Sequence, residues 1–498
     1  MGWELNSSAT SGPMPPPSTG VNVLIPINGV LSDVAALKAY GTLQKLTNQP
    51  VFLADPLGVG FVLDGGLLGT EDVFKLAWIG TNNPILKLSG TNVFDAVKGI
   101  RGVSLTVNSG TQTFNGFSLA VQSDFGEIKF GTNASVAALN LAAINISCSR
   151  LQFPSGTTNK SVNLTSRTRF ICHNIDNTGN STNSFNIASD VFVSTIQGEG
   201  NVNITGSRNV FEFQQWDLDG INTLNVTGIN NEIRGIKGFE FIVINADSNI
   251  LSVLETENLT LNTLYSDIKI GKLTSIFTTT FVSSKLFIQD LASWDLIGNC
   301  SYALSDIYIG RLGIFDFQDG ITFEGSRIYI GELITSWNLA LISDGFKNSS
   351  WEIQKSNVNI SIVSGVQLTN FKFKINQGLN FSVGNCLGAI IEANVLDQAI
   401  ISGSNITFTS SNCEILTLLA VTDSIINCAY SLEVNFTDAE RVNINFCNVI
   451  INSIVKLKGS IISDSGINNY DLPLLSDNNR LIGSGVSKSG AGVNNLIF

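Results

Sequence analysis

From about residue 99 the chain alternates apolar and polar side chains in short runs, each ended by Gly, Asn or Ser: GVSLTV, GFSLAV, GEIKFG, NVNITG, NVFEFQ and TLNVTG. Period-two alternation between turn residues predicts short β-strands with one buried face. No proline falls between Pro154 and Pro473. Proline cannot donate to a sheet ladder, so its absence predicts strands paired on both edges. The pattern also repeats. DIKIGKL (267–273), KLFIQDL (285–291), DIYIGRL (306–312) and RIYIGEL (327–333) align at offsets of 18, 21 and 21. SWEIQ (350–354), NFKFKI (370–375) and GAIIEA (388–393) keep a beat of roughly twenty.

A period near twenty residues means that each repeat is one coil of a solenoid, whose inward face is buried only by its neighbours. Two solenoids have this period. A leucine-rich repeat needs L-x-x-L-x-L-x-x-N in every unit and helix-forming stretches between strands, and neither is sustained here. A parallel β-helix needs only strands, tight turns and inward apolar or Asn ladders. The fold class expected is therefore all-β, a parallel β-helix over 99–462, right-handed because parallel crossovers almost always are. On the order of 18 coils at ~4.8 Å each would make a shaft ~85 Å long.

The ends read differently. Residues 1–20 include SGPMPPPSTG, with four of the ten prolines, and suggest a flexible or polyproline-like arm. Residues 21–98 read as a small mixed N-terminal domain. In SDVAALKAYGTLQKL, Ser32 is placed to cap a helix over 33–40, Asp33 suits its first turn, and Gly41 can end it, with a resumption to Leu46 open. Residues 463–498 lose the beat and suggest a terminal cap or irregular tail, which a solenoid needs to cover its last coil.

Composition narrows the function. The chain has 498 residues, 43% hydrophobic and only 14% charged, which excludes a disordered protein. The net charge of −12 argues against nucleic-acid binding and against an anionic membrane surface. No apolar run reaches the roughly 18 residues of a membrane span. The opening residues MGWELNSSATSGP lack a basic region followed by an apolar one, so cytoplasmic synthesis is expected. Seven scattered cysteines without C-x-x-C pairs suggest buried free thiols. The Asn-x-Ser/Thr sequons at Asn145, Asn163, Asn203, Asn258 and Asn405 are expected by chance in so Asn- and Thr-rich a chain.

An arm, a small domain with a SDVAALKAY helix and a long Asn-rich β-helix together resemble phage tailspike and fibre proteins of the pectin-lyase-like type. The helix fragment loosely matches the D-V-A-A-L-R segment that stands just before such β-helices. The resemblance implies a homotrimer in the virion, made in the host cytoplasm. It also implies attachment to other virion proteins through residues 1–98, and a β-helix that binds or cleaves host-surface polysaccharide or another receptor. It does not extend to a C-terminal trimerisation or chaperone domain, and a head fibre is equally compatible. A bacterial surface adhesin would need an export signal.

Candidate chemistry lies in the aligned coils. Trp294-Asp295, Phe315-Asp316 and Trp337-Asn338 fall at offsets of 21 and 22. If the aromatics point inward, Asp295 and Asp316 point outward about 5 Å apart. Two carboxylates at that distance suit the acid and nucleophile of a retaining glycosidase, with repulsion raising one pKa. The competing reading is an aromatic core stack beside a solvated acidic ladder, and the change from Asp316 to Asn338 favours scaffold over catalysis. Asp316, Asp319 and Glu324 could also line a depolymerase groove. Tyr308 and Tyr329 form a second, outward column, suited to sugar faces or to a trimer seam. Trp294, Phe315 and Trp337 complete the candidate binding set. WDLDG (216–220) and FDFQDG (315–320) hold acids beside a Gly, but too few oxygen donors for a calcium loop. His173 is the only histidine, no G-x-S-x-G accompanies it, and Cys428 and Cys447, 19 apart, could stack in the core. No metal or cofactor is expected.

Overall fold

The computed structural model describes residues 22–27, 33–95, 98–115, 121–154, 159–177, 183–217, 222–296, 300–317, 321–335, 337–341, 346–364, 367–466, 468–483 and 485–498. Within these, residues 279, 295–296, 315–317, 337–341, 362–364, 367–369 and 385 are described by their backbone alone. The arm 1–20 and Ser32 lie outside the described residues.

Strands take 64% of the chain and helix 4%, so the fold is all-β, a parallel β-solenoid of about 20 turns. The chain divides into two compact units, Met1–Thr256 and Glu257–Phe498.

In the first unit the helix is continuous over Val34–Leu46. Gly41 does not end it. A side chain there would overlap the Val73 backbone, so Gly41 lets the helix lie against that segment. Asp33 is buried, and its carboxylate accepts from the backbone N–H of Ile27 (2.7 Å) and Val62 (2.8 Å). The parallel ladder already begins at Val51. Val51–Ala54 pairs with Trp78–Thr81, and Ile85–Leu88 pairs with Ser104–Val107. Coiling thus starts well inside the segment read as a separate domain, whose Pro56 and Pro84 sit outside the strands. Farther on, Asn145, Arg169, Phe192, Val210, Glu232 and Ile250 begin successive rungs of one sheet. In a neighbouring sheet Asn140, Asn163, Asn186 and Asn203 stand in register, and each amide donates to the one before it (2.8, 2.8 and 3.2 Å).

In the second unit the rungs Asp267, Lys285, Asp306 and Arg327 pair at the offsets read from the sequence, and Arg327 pairs with Ser350. Ile268, Leu286, Ile307 and Ile328 point inward, as do Ile270, Ile288, Ile309 and Ile330. The repeated Ile-Gly has a steric cause. A Cβ on Gly310 would run into the Gln289 carbonyl of the coil before it, and one on Gly331 into the Gly310 carbonyl. Ladder pairing continues past Asp464: Ile461–Ser463 pairs with Arg480–Ile482, which pairs with Leu496–Ile497. The segment read as an irregular tail is therefore itself coiled.

Both units turn several of their corners with one device: a residue with left-handed backbone, then a buried polar side chain. In the first unit Arg208, Asn230 and Ser248 (φ 59, 57 and 59°) precede Asn209, Asn231 and Asn249. The Oδ1 of each of these asparagines accepts an N–H from the previous coil, that of Val191, Asn209 and Asn231 (2.8, 3.0 and 2.9 Å). In the second unit Tyr265, Ser283 and Leu304 (φ 55, 50 and 52°) precede Ser266, Ser284 and Ser305. There the N–H of Ser266, Ser284 and Ser305 donates to the hydroxyl of Ser284, Ser305 and Ser326 (3.0, 3.2 and 3.0 Å). A non-glycine left-handed residue costs roughly 1–2 kcal/mol. A buried N–H left without a partner would cost about as much or more, so the corner bonds offset the strain. Among the described residues no helix is long and apolar enough to cross a membrane.

Candidate functional site

Before and between the two inward columns of the second unit, alternation leaves two outward ones. One runs Asp267, Lys285, Asp306, Arg327, Ser350, Lys372, and the other Lys269, Phe287, Tyr308, Tyr329, Glu352, Lys374. Together they line an open groove of about 760 Å³.

Three aromatic rings form its centre. Phe287 and Tyr308 stack at 4.7 Å and 3°, Tyr308 and Tyr329 at 4.8 Å and 6°. These separations are the strand spacing itself, so register sets the stack. Stacking changes what the column offers. The faces of Tyr308 are covered by its neighbours, so a ligand meets ring edges, the Tyr308 and Tyr329 hydroxyls and the outer faces of the end rings. Partial burial, the Tyr308 neighbour and the Glu352 carboxylate all push the Tyr329 hydroxyl above its ordinary pKa, so it is a hydrogen-bond donor at neutral pH. Phe287 occupies the tyrosine position of KLFIQDL and extends the outward tyrosine column by one coil.

Charged side chains border the rings in pairs. Arg327 makes a two-pronged contact with Asp306 (2.6 and 2.7 Å). Lys374 meets Glu352 (3.0 Å), Lys372 meets Glu392 (2.8 Å) and Lys269 meets Asp267 (3.3 Å). The groove thus carries five cations and four carboxylates, counting Lys285 among its lining residues, within a chain of net charge −12.

The other candidates fall elsewhere. Trp294 is fully buried, its indole N–H donates to the Tyr302 hydroxyl (3.1 Å), and it packs edge-on against Tyr302 and Phe323. It is a core residue with no surface for a ligand, which corrects its place in the binding set. Backbone register pairs Trp294 with Phe315 and Asp295 with Asp316. The side chains of Asp295, Phe315, Asp316 and Trp337, and the whole of Asp319, lie outside the described residues. Trp337 begins its own strand, Trp337–Leu341, and pairs with Ile360. Glu324 is exposed at a corner turn, where its carbonyl accepts from Leu304 N–H (2.8 Å). Trp216 of WDLDG is core, stacked on Phe239 at 4.6 Å, and Asp219 lies outside the described residues. His173 is exposed on the strand Arg169–Asn177.

The expected Cys428–Cys447 stack is not formed. Cys428 pairs with Phe446, one coil of 18 away, and Cys447 is exposed. A spacing of 19 against a coil of 18 puts the second cysteine on the other face. Among the described residues no three of His, Cys, Asp and Glu gather as metal ligands would. No protein-family model, curated protein or solved structure matches the chain.

Proposed function

We propose that the chain is a bacteriophage virion protein, a tail spike or fibre or a head fibre, that binds a host-surface polysaccharide along the groove of its second unit. The observation that carries this reading is the outward Phe287–Tyr308–Tyr329 column set among paired charges on stacked coils. Tyrosine hydroxyls, amines and carboxylates on a stiff backbone match the many hydroxyls of a sugar chain, and ring edges and end faces suit its C–H patches. An elongated groove across several coils suits a linear polymer better than a small molecule. Residues 1–98 attach to other virion proteins. Three copies in a homotrimer would present three weak sites and bind by avidity. Neither nucleic acid nor a membrane interior is a partner in this reading.

Binding of the intact protein to host capsule or lipopolysaccharide, followed by surface plasmon resonance, tests it. Tyr308→Ala with Tyr329→Ala is expected to weaken binding at least about tenfold, the loss of roughly 1.4 kcal/mol, while the fold is kept. Unchanged affinity would sink the groove assignment, and a monomer by light scattering would count against the fibre. The in-register pair Asp295 and Asp316 favours a second reading, a depolymerase of the same polysaccharide. New reducing ends or unsaturated sugars after incubation would establish it. Retained binding without release would exclude it.

A further inference from the structure

Several coils of both units share a side-chain device at a strand bend. An inward Ser, Thr or Cys donates to the carbonyl two residues ahead. Thr195 bonds Gln197 (2.7 Å), Ser356 bonds Val358 (2.9 Å) and Ser431 bonds Glu433 (3.0 Å). Cys172 bonds Asn174 (3.0 Å), Cys413 bonds Ile415 (3.2 Å) and Cys428 bonds Tyr430 (3.2 Å). Cysteine is thus one of three interchangeable donors, which accounts for buried thiols without any chemistry.

Cys148 departs from the pattern. Its sulfur lies 3.2 Å from that of Cys172, its register partner one coil away, and both side chains are buried. Parallel neighbours in register have Cα atoms about 4.8 Å apart, inside the roughly 4.4–6.8 Å range that a disulfide bridges without backbone movement. Phe125 and Thr195 flank the pair in the same column, so neither sulfur has another thiol beside it in register.

We propose that Cys148 and Cys172 are a modification site: a thiol pair that a small-molecule disulfide oxidises to an intercoil disulfide once the protein leaves a reducing compartment. One protein thiolate attacks a sulfur of oxidised glutathione and expels one glutathione thiolate. The other protein thiolate then attacks the protein sulfur of the mixed disulfide and expels the second. Two protein thiols and one glutathione disulfide become one protein disulfide and two glutathione thiols, and the two protein protons end on the departing sulfurs. The product closes 24 residues, one full coil, into a covalent ring. Burial pushes the Cys148 thiol well above its ordinary pKa. The thiolate is therefore scarce at neutral pH, and the reaction is expected to be slow there and faster in alkali.

The test uses the full chain incubated with oxidised glutathione at about pH 9, with and without dilute urea to permit local opening, then unfolded and alkylated with iodoacetamide. Peptide mass spectrometry should find the Cys148 and Cys172 peptides joined and two hydrogens lighter, with Cys300, Cys386, Cys413 and Cys428 fully alkylated. The oxidised protein should melt at a higher temperature, and a reductant should reverse the rise. Alkylation of all seven cysteines in both arms would overturn the proposal, as would glutathione found on exposed Cys447 alone. Cys148→Ser should abolish the joined peptide and leave Cys172 either alkylated or carrying glutathione. Should that variant not fold, the wild-type peptide map still decides.

Discussion

The first unit turns these corners on asparagine, and the second on serine, from Ser266 to Ser326 and again at Ser424 and Ser460. The reason lies in how far back each side chain must reach. Asn231 and Asn249 donate to the carbonyls of Gly228 and Ala246, three residues earlier (2.7 and 2.9 Å). Ser284 and Ser305 donate to Val282 and Ala303, two residues earlier (2.8 and 2.9 Å). Both side chains also accept an N–H from the coil before. A wider corner needs the longer amide, and a tighter one closes on a hydroxyl. The choice is local: Asn479 and Asn495 return in the last coils, where Ser460 N–H donates to Asn479 (2.9 Å). The outward ladders differ more. The asparagine column Asn140–Asn203 bonds to itself along its length, whereas the aromatic column leaves hydroxyls facing solvent.

The largest effects should come where the units are alike. Trp216 and Trp294 are both fully buried with their indole N–H bonded, to Gly200 O (2.9 Å) and the Tyr302 hydroxyl. Replacing either by alanine is expected to cost about 3–5 kcal/mol in denaturant unfolding. Loss of glycan binding by Trp294→Ala at unchanged stability would return that residue to the ligand site. The corners come next. Asn231→Ser strands the Gly228 carbonyl and the Asn209 N–H and should cost about 1–3 kcal/mol. Ser305→Ala should cost somewhat less, since one hydroxyl serves there instead of an amide. Equal costs would break the distinction between wide and tight corners.

Alkali should separate the units. Six of the seven tyrosines lie in the second unit. Burial raises the Tyr302 and Tyr470 hydroxyls far above the ordinary value, and the Asp464 carboxylate adds to the effect at Tyr470. Stability from groups raised in this way is intact below the unfolded pKa near 10 and falls as pH rises beyond it, by up to roughly 1.4 kcal/mol per pH unit for each. Tyrosinate absorbance should therefore show these two titrating only as the second unit unfolds. Titration of all tyrosines near pH 10 with the fold intact would contradict their burial. The smallest effect belongs to the exposed ion pairs Arg208–Asp190 and Arg441–Asp423, one in each unit. The arginines lower both aspartate pKa values, so any stabilisation is present at neutral pH and fades as acid protonates the carboxylates. Arg208→Ala and Arg441→Ala should change unfolding midpoints within experimental error.

Much of the second unit was legible because its coils from Asp267 to Arg327 repeat one residue pattern, even though spacings across the unit run from 16 to 23. The 18, 21, 21 alignment is the observed register, and the tyrosine column followed from it. The corner signal was missed by one residue: the alignments begin at Asp267, Lys285, Asp306 and Arg327, immediately after Ser266, Ser284, Ser305 and Ser326. The first unit was harder. Its rungs from Asn145 to Ile250 are spaced 24, 23, 18, 22 and 18 apart, so no fixed period emerges. Two of its sequons, at Asn163 and Asn203, proved to be strand pattern: an outward Asn, an inward Leu or Ile, and an outward Thr. The Cys148–Cys172 pair was hidden for the same reason, since a gap of 24 matches a coil only once that coil's length is known.

The corner bonds also bear on how the chain acquires its shape. Their partners are 18, 21 or 22 residues apart, always one coil away. An all-β protein commonly folds slowly because strands distant in sequence must find each other. Here each new coil needs only to close a loop of about twenty residues onto an edge already formed, and lengthening the stack leaves that entropic cost unchanged. Growth is then sequential, like a crystal adding layers. It can follow the ribosome, each finished coil serving as the template for the next.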